Sequence, residues 1–195
     1  MKLFYSLASP YSRKTLLLAK SLKLADDIEV VLANPLENDA ALIAANPLAK
    51  VPALLMGDKA ISDSPLIAEY LLRKAGADRS SEAYMRQLEV QALADGVTDA
   101  AVAIIMESRR PDAEQSALWI TRWESSIERG LHVLESQNET FSTGWDLGSM
   151  AVACLLDYLC FRHPTLDWQR PNPKCAAWFA ETIKRPDMVE TDPRK

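Results

Sequence analysis

The sequence is poor in cysteine, histidine and glycine, and each shortage argues against a class of site. Its 195 residues include 3 cysteines, 2 histidines and 6 glycines. Cys154, Cys160 and Cys175 lie in apolar, helix-like surroundings without paired spacing, so we interpret them as buried, reduced thiols. His132 and His163 are far apart and have no partnering ligand spacing, so we expect no metal. No glycine-rich phosphate loop occurs, which argues against nucleotide binding.

The chain also lacks a block of basic residues and a long apolar run. Its formal net charge is −5, and Lys and Arg are scattered, so neither nucleic acid nor an anionic membrane surface is an expected partner. The opening residues MKLFYSLASP contain no extended apolar region of the signal-peptide kind. We therefore expect a cytoplasmic protein.

What is present indicates two domains, at residues 1–76 and 82–195, joined by a short, small and polar segment. The first domain has the order βαβα-ββα, which predicts a mixed sheet covered by helices. Its first helix begins at Pro10, and the β-branched run Ile28–Leu32 predicts an interior strand. The second domain has helical periodicity almost throughout.

Four helical stretches are predicted in the second domain. They span residues 82–109 and 113–135, with further helices beginning at Thr143 and Pro173. Thr143 and Asp146 have the spacing of an N-terminal capping box, and the apolar segment that follows indicates a central helix. The Gly144/Gly148 pair would allow a neighbouring helix to approach closely.

The most informative stretch is Asn46–Tyr70, NPLAKVPALLMGDKAISDSPLIAEY. Pro52 lacks an N–H group and fits only the first position of a strand. A hairpin turning at Gly57 follows, and Asp63-Ser64 then opens a helix. The N–H groups at such a helix start attract a carboxylate.

This stretch resembles the glutathione site of the cytosolic glutathione S-transferase superfamily, in which Asn-Pro-x-x-Lys-Val-Pro-x-Leu precedes an acidic residue and a Ser that open a helix. The box at Thr143 and the tail from Asn172 are similar to the same family, and residues 91–99 resemble its bacterial branch. The resemblance implies an α+β fold with a thioredoxin-like N-terminal domain, a cis Pro52, an all-α C-terminal helical bundle, and a homodimer.

The resemblance also assigns the parts of a glutathione site. Asp63 and Ser64 would hold the γ-glutamyl group, and the Val51 backbone would pair with the cysteinyl backbone beside Pro52. Lys50 would hold the glycyl carboxylate. Each has a simpler alternative, since Asp-Ser is an ordinary helix cap and surface lysines are usually only solvated.

Family members activate the thiol with a Tyr, Ser or Cys near the end of the first strand. Ser9 lies four residues before Arg13 and resembles the Ser-type pattern, so we expect it to donate a hydrogen bond to the thiolate from the start of the first helix. It could equally be a plain N-cap. Ser12 lies inside the helix and Tyr5 within the strand, which makes them poorer candidates.

The predicted activity is therefore that of a glutathione transferase with glutathione as co-substrate and a small apolar electrophile as its partner, without a metal. Two alternatives remain. One is a catalytically weak glutathione- or partner-binding protein on the same fold. The other is a glutathione-dependent reductase or peroxidase, although no cysteine precedes Cys154.

Overall fold

A computed structural model describes residues 1–195, with four strands and eight α-helices. The strands are β1 (Lys2–Tyr5), β2 (Glu29–Leu32), β3 (Ala53–Met56) and β4 (Lys59–Ile61). The helices are α1 (Pro10–Ser21), α2 (Ala40–Ala45), α3 (Ser64–Lys74), α4 (Glu82–Glu107), α5 (Ala117–Ser136), α6 (Leu147–Arg162), α7 (Pro173–Thr182) and α8 (Pro186–Glu190).

The four strands form one mixed sheet in the order β2-β1-β3-β4. β1 runs parallel to β2 and antiparallel to β3, with Phe4 opposite Ala53. β4 returns antiparallel to β3, with Ile61 opposite Leu54. This is the thioredoxin-like arrangement, and together with the helices that follow it confirms the predicted α+β class.

The prediction that residues 28–32 form an interior strand is wrong. β2 lies at the edge of the sheet, where Val30 is 41% and Leu32 is 63% exposed. Val31 alone of these strand residues packs against the buried cluster that includes Phe4 and Leu42. β-Branched composition favours a strand but does not decide whether the strand has one neighbour or two.

The chain divides into two compact units, the first containing residues 1–85 together with 186–195 and the second residues 86–185. The sequence analysis assigned residues 186–195 to the helical domain. In the structure, Arg13 of α1 donates hydrogen bonds to the Met188 carbonyl at 2.8 Å and to the Thr191 hydroxyl at 3.1 Å. These long-range contacts explain why the C-terminal segment groups with the first unit.

In the second unit, α6 is buried along nearly its whole length. A Cβ at Gly148 would lie 3.1 Å from the Gln87 carbonyl oxygen and the Val90 Cβ, so this glycine permits the predicted close approach of a neighbouring helix, which is α4. Gly144 precedes the helix and has room around it, and it plays no such part. No helix in the structure combines the length and apolar character needed to cross a membrane.

The capping box of α6 lies three residues later than predicted. Asp146, not Thr143, is the N-cap, and its carboxylate accepts a hydrogen bond from the Ser149 N–H at 3.0 Å. The Ser149 hydroxyl accepts in return from the Asp146 N–H at 2.7 Å. This reciprocal pair of hydrogen bonds satisfies two N–H donors at the helix start, so α6 begins at Leu147.

Glu135 near the end of α5 caps the start of α7 from a distance. Its two carboxylate oxygens accept from the N–H groups of Lys174 at 3.0 Å and Cys175 at 2.9 Å. Burial by itself raises the pKa of Glu135. The hydrogen bonds from Cys175 and Lys174 outweigh this effect and hold the pKa below its ordinary value of 4.5.

We expect Glu135→Gln to lower the free energy of unfolding at neutral pH by about 1 kcal/mol, because the neutral amide caps α7 less well. A carboxyl group with a depressed folded-state pKa stabilises the fold above its unfolded pKa. The deficit should therefore shrink as the pH falls below about 4.5, the ordinary value of this carboxyl group. Urea unfolding at several pH values measures the difference in unfolding free energy between the wild-type protein and the variant. Exposed Glu128→Gln on the same helix is the control, and an equal deficit in both variants would contradict the assignment.

Candidate functional site

Three segments singled out in the sequence meet at one end of the sheet. The loop after β1 carries Ser9, and the carboxyl end of β1 lies beside the start of β3 because Phe4 pairs with Ala53. Val51 and Pro52 immediately precede that start. The end of β4 returns to the same place, since Ile61 pairs with Leu54, and the start of α3 follows it. Strand direction and register alone produce this convergence.

The Val51 side chain packs in the core, whereas its backbone groups are available for hydrogen bonding. The side chain packs against the buried cluster that includes Phe4 and Ala53. The Val51 backbone N–H and C=O make no hydrogen bond within the chain, and the following peptide bond to Pro52 is cis. An extended peptide could therefore pair antiparallel with Val51 through the two main-chain groups.

The loop that leads to Val51 is held by Asn46, a buried residue to which the sequence reasoning gave no role. Its side-chain amide donates to the Lys50 carbonyl at 2.8 Å and accepts from the Leu48 N–H at 3.1 Å. Ala49 between them has a φ of +50°, a conformation that the hydrogen bonds support. The Asn-Pro signature was a signal for this residue, because Asn favours such local side-chain to backbone bonds.

Lys50 directly precedes Val51 in the loop, and it is exposed. Its side chain makes no hydrogen bond or ion pair within the chain. The position leaves the ammonium group available to an anionic ligand, and equally to solvent.

Asp63 is the N-cap residue of α3, yet its side chain makes no capping hydrogen bond. The other aspartates at helix starts behave differently: Asp39 accepts two N–H groups and Asp146 forms the capping box described above. Asp63 is exposed, whereas Ser64 is only 2% exposed. The Asp63 carboxylate therefore does not accept hydrogen bonds from the first N–H groups of α3. These N–H groups could bind a negatively charged group of a ligand, and the carboxylate could bind a positively charged one.

Ser9 is the N-cap residue of α1 and is half-buried. Its hydroxyl oxygen accepts a hydrogen bond from the Ser12 N–H at 3.2 Å. Because this bond uses a lone pair of the oxygen, the hydroxyl proton stays free to be donated away from the helix. The N-cap role and a donor role are therefore compatible.

The alternatives to Ser9 are less accessible. The Ser12 side chain is fully buried and its hydroxyl has no hydrogen-bond partner. Tyr5 is 2% exposed and lines a cavity of about 310 Å³, whose walls include Leu16 of α1, Leu32 of β2 and Thr191. The lining of that cavity includes none of the residues predicted to bind or activate glutathione, which are Ser9, Lys50, Val51, Pro52, Asp63 and Ser64.

The cysteines give the first unit no thiol chemistry of its own. None of the three forms a disulfide and all lie in the second unit, with Cys154 and Cys175 buried and Cys160 partly exposed. Burial, together with the nearby Glu135 carboxylate, raises the pKa of Cys175 to about 12. No group of three or more His, Cys, Asp or Glu side chains is arranged to hold a metal ion.

Comparisons with known proteins agree on one family. The family model described as the glutathione S-transferase N-terminal domain matches residues 8–74. The uncharacterized GST-like protein YibF of Escherichia coli K12 is 33% identical, and the alignment covers 100% of both chains.

Among solved structures, a glutathione transferase family member from Pseudomonas fluorescens Pf-5 with bound glutathione is 35% identical with a TM-score of 0.93, covering 98% of each chain. A second Pseudomonas fluorescens Pf-5 family-member structure contains S-(propanoic acid)-glutathione and is 33% identical with a TM-score of 0.89, covering 99% of each chain. A glutathione S-transferase from Methylobacillus flagellatus with glutathione bound is 34% identical with a TM-score of 0.90, covering 98% of each chain.

We expect Asn46→Ala to loosen the loop before Val51 and to cost about 1 kcal/mol of stability, because the part-buried Leu48 N–H and Lys50 carbonyl lose their side-chain partner. Hydrogen exchange of residues 48–51 should accelerate. Asn34→Ala is the matched control, since Asn34 makes the same kind of turn with the Leu36 N–H at 3.1 Å on an exposed surface. Equal losses in the two variants would show that Asn46 has no special part in shaping the loop.

Proposed function

The chain belongs to the cytosolic glutathione S-transferase superfamily, and from this membership we propose that it binds reduced glutathione and activates its thiol for attack on small apolar electrophiles. The observation that carries the proposal is the meeting of Ser9, Val51 and the α3 start at one end of the sheet. Glutathione has two carboxylates, an ammonium group and a thiol on an extended backbone. The groups present at this end of the sheet complement each of them.

The γ-glutamyl end of glutathione is assigned to the start of α3. Its carboxylate would accept from the Ser64 N–H and hydroxyl, where the helix dipole favours a negative charge. Its ammonium group would pair with the Asp63 carboxylate, which makes no capping bond. The solved Pseudomonas and Methylobacillus relatives hold glutathione, which supports this choice of ligand.

The rest of the tripeptide is assigned to the loop before β3. The cysteinyl N–H and C=O would pair with the Val51 backbone, whose own groups make no bond within the chain. Pro52 and the Asn46 hydrogen bonds hold this backbone in place, and Lys50 would attract the glycyl carboxylate. An exposed ammonium–carboxylate pair contributes only about 0–1 kcal/mol, so Lys50 is the least important of these contacts.

Ser9 is assigned to the thiol. A hydrogen bond from its free hydroxyl proton to the thiolate contributes about 1.5–3 kcal/mol, which lowers the thiol pKa by about one to two units. That shift makes the thiolate, which is the nucleophile, abundant near neutral pH. The sulfur would form a bond to an electrophilic carbon of the second substrate, and a leaving group would depart with its electron pair. A relative that holds S-(propanoic acid)-glutathione, a glutathione S-conjugate, supports this reaction class.

A cytoplasmic homodimer remains the expected assembly, as the family resemblance implies. Gel filtration with light scattering of the purified chain tests the homodimer.

Binding is the first prediction of the proposal. Isothermal titration with reduced glutathione near neutral pH should give saturable one-site binding, and Ser64→Ala should weaken it by about 10-fold, since a hydrogen bond to a charged group is lost. Ser116→Ala is the control: it removes the N-cap hydroxyl of α5 in the second unit and should lower stability without changing affinity. No binding at millimolar glutathione would overturn the assignment of function while leaving the family intact.

Thiol activation is the second prediction. Ser9→Ala should raise the pKa of bound glutathione by about one to two units and lower kcat/KM by about 10–100-fold, with less than a threefold change in Kd. Thiolate absorbance against pH measures the pKa, and conjugation of a model aryl halide measures turnover. Ser12→Ala on the same helix should change neither quantity. If Ser12→Ala alone abolished the thiolate, the activating role would pass to Ser12.

A further inference from the structure

A buried arginine connects the C-terminal segment to the helix that carries Ser9. Arg13 is 3% exposed, and its guanidinium Nη2 donates to the Met188 carbonyl at 2.8 Å while Nε donates to the Thr191 hydroxyl at 3.1 Å. The Thr191 hydroxyl donates onward to the Asp187 carbonyl at 2.8 Å. Met188 is fully buried. The guanidinium therefore binds two separate points of α8 and the residues just after it.

The Met188 carbonyl lies in the last turn of α8, and the Thr191 hydroxyl follows directly after that helix. Carbonyls in the last turn of a helix lack partners within the helix, and a cation is favourable there. The guanidinium presents several N–H groups in a fixed planar fork, whereas a lysine ammonium is a single point charge on a flexible stem. A lysine at position 13 would keep the charge but could not hold the Met188 carbonyl and the Thr191 hydroxyl in the same geometry.

The same residue also belongs to the first turn of the helix that carries the proposed thiol activator. The Arg13 backbone N–H donates to the Ser9 carbonyl at 3.1 Å, the bond that closes the first turn of α1. The side chain of Arg13 is thus held by residues 188–191 while its backbone holds Ser9. Activation of a thiol by one hydrogen bond is sensitive to small displacements of the donor.

We propose that Arg13 is a positioning residue: it fixes the first turn of α1 against residues 186–195, so that the C-terminal segment sets the orientation of the Ser9 hydroxyl. The proposal rests on the proposed function, because it concerns the same thiol. It makes the end of the chain a working part of the glutathione site without any contact to glutathione itself.

The test measures the pKa of the bound thiol, by thiolate absorbance, in the full-length protein. Arg13→Lys should raise it by about one unit, as partial loss of the Ser9 hydrogen bond requires, with less than a threefold change in glutathione Kd. Hydrogen exchange should accelerate both in residues 186–195 and in the first turn of α1. Thr191→Val removes one acceptor of the guanidinium and leaves the sequence of α1 unchanged. It should shift the thiol pKa in the same direction by a smaller amount.

Lys20→Met is the matched control. It breaks the exposed contact between Lys20 and Glu190, 2.7 Å long, which joins the same two segments outside the buried core. It should leave the thiol pKa unchanged. A wild-type thiol pKa in both Arg13→Lys and Thr191→Val, even with lowered thermal stability, would overturn the positioning role and leave the proposed function standing. A shift in Arg13→Lys without faster hydrogen exchange in residues 186–195 would also overturn it, because the guanidinium would then act independently of the C-terminal segment.

The proposed function fails in a different way. If bound glutathione in the wild-type protein and in Ser9→Ala has the same thiol pKa as free glutathione, no activation exists for Arg13 to support. That result rejects both proposals together, whereas the outcomes above reject only the second.

Discussion

Antiparallel pairing of β3 with β1 is the constraint on which the rest of the site depends. The pairing of Phe4 with Ala53 buries both side chains in one cluster. A slip of one residue would turn every β3 side chain to the opposite face of the sheet, so the core tolerates only this register. The same register puts the loop before β3 beside the end of β1. Core packing and site geometry are therefore two consequences of one pairing.

Helix starts show why residue types alone do not identify the ligand site. Asp39, Asp63 and Asp146 all occupy N-cap positions, and the sequence around each fits an ordinary cap. Only the structure shows that Asp63 makes no capping bond, which leaves the first N–H groups of α3 unsatisfied by its side chain. Unsatisfied backbone donors at a helix start are costly when they are not solvated, and a ligand carboxylate is one way to satisfy them.

Local signals predicted the parts of the chain that depend on nearby residues. The hairpin and the starts of α1 and α7 follow from turn, proline and cap chemistry within a few positions. The edge position of β2 could not be read in this way, because it depends on which strands pair with β1. The observed α6 capping box lies three residues after the predicted one, because Thr143 and Asp146 are both residue types that can cap a helix. The reciprocal hydrogen bonds between Asp146 and Ser149 determine which of them is the N-cap.

Local reasoning departs furthest from the structure at residues 186–195, which group with residues 1–85 and so change the extent of the N-terminal unit. Composition placed a boundary after residue 76, as if everything beyond it belonged to the helical domain. Arg13, however, is buried against Met188 and Thr191 across 175 and 178 positions of sequence. A fragment that ended at the compositional boundary would lack both of these acceptors, and the loss of two hydrogen bonds to a buried guanidinium is unfavourable. The N-terminal unit is therefore discontinuous in sequence, and its first helix depends on the last residues of the chain for its packing.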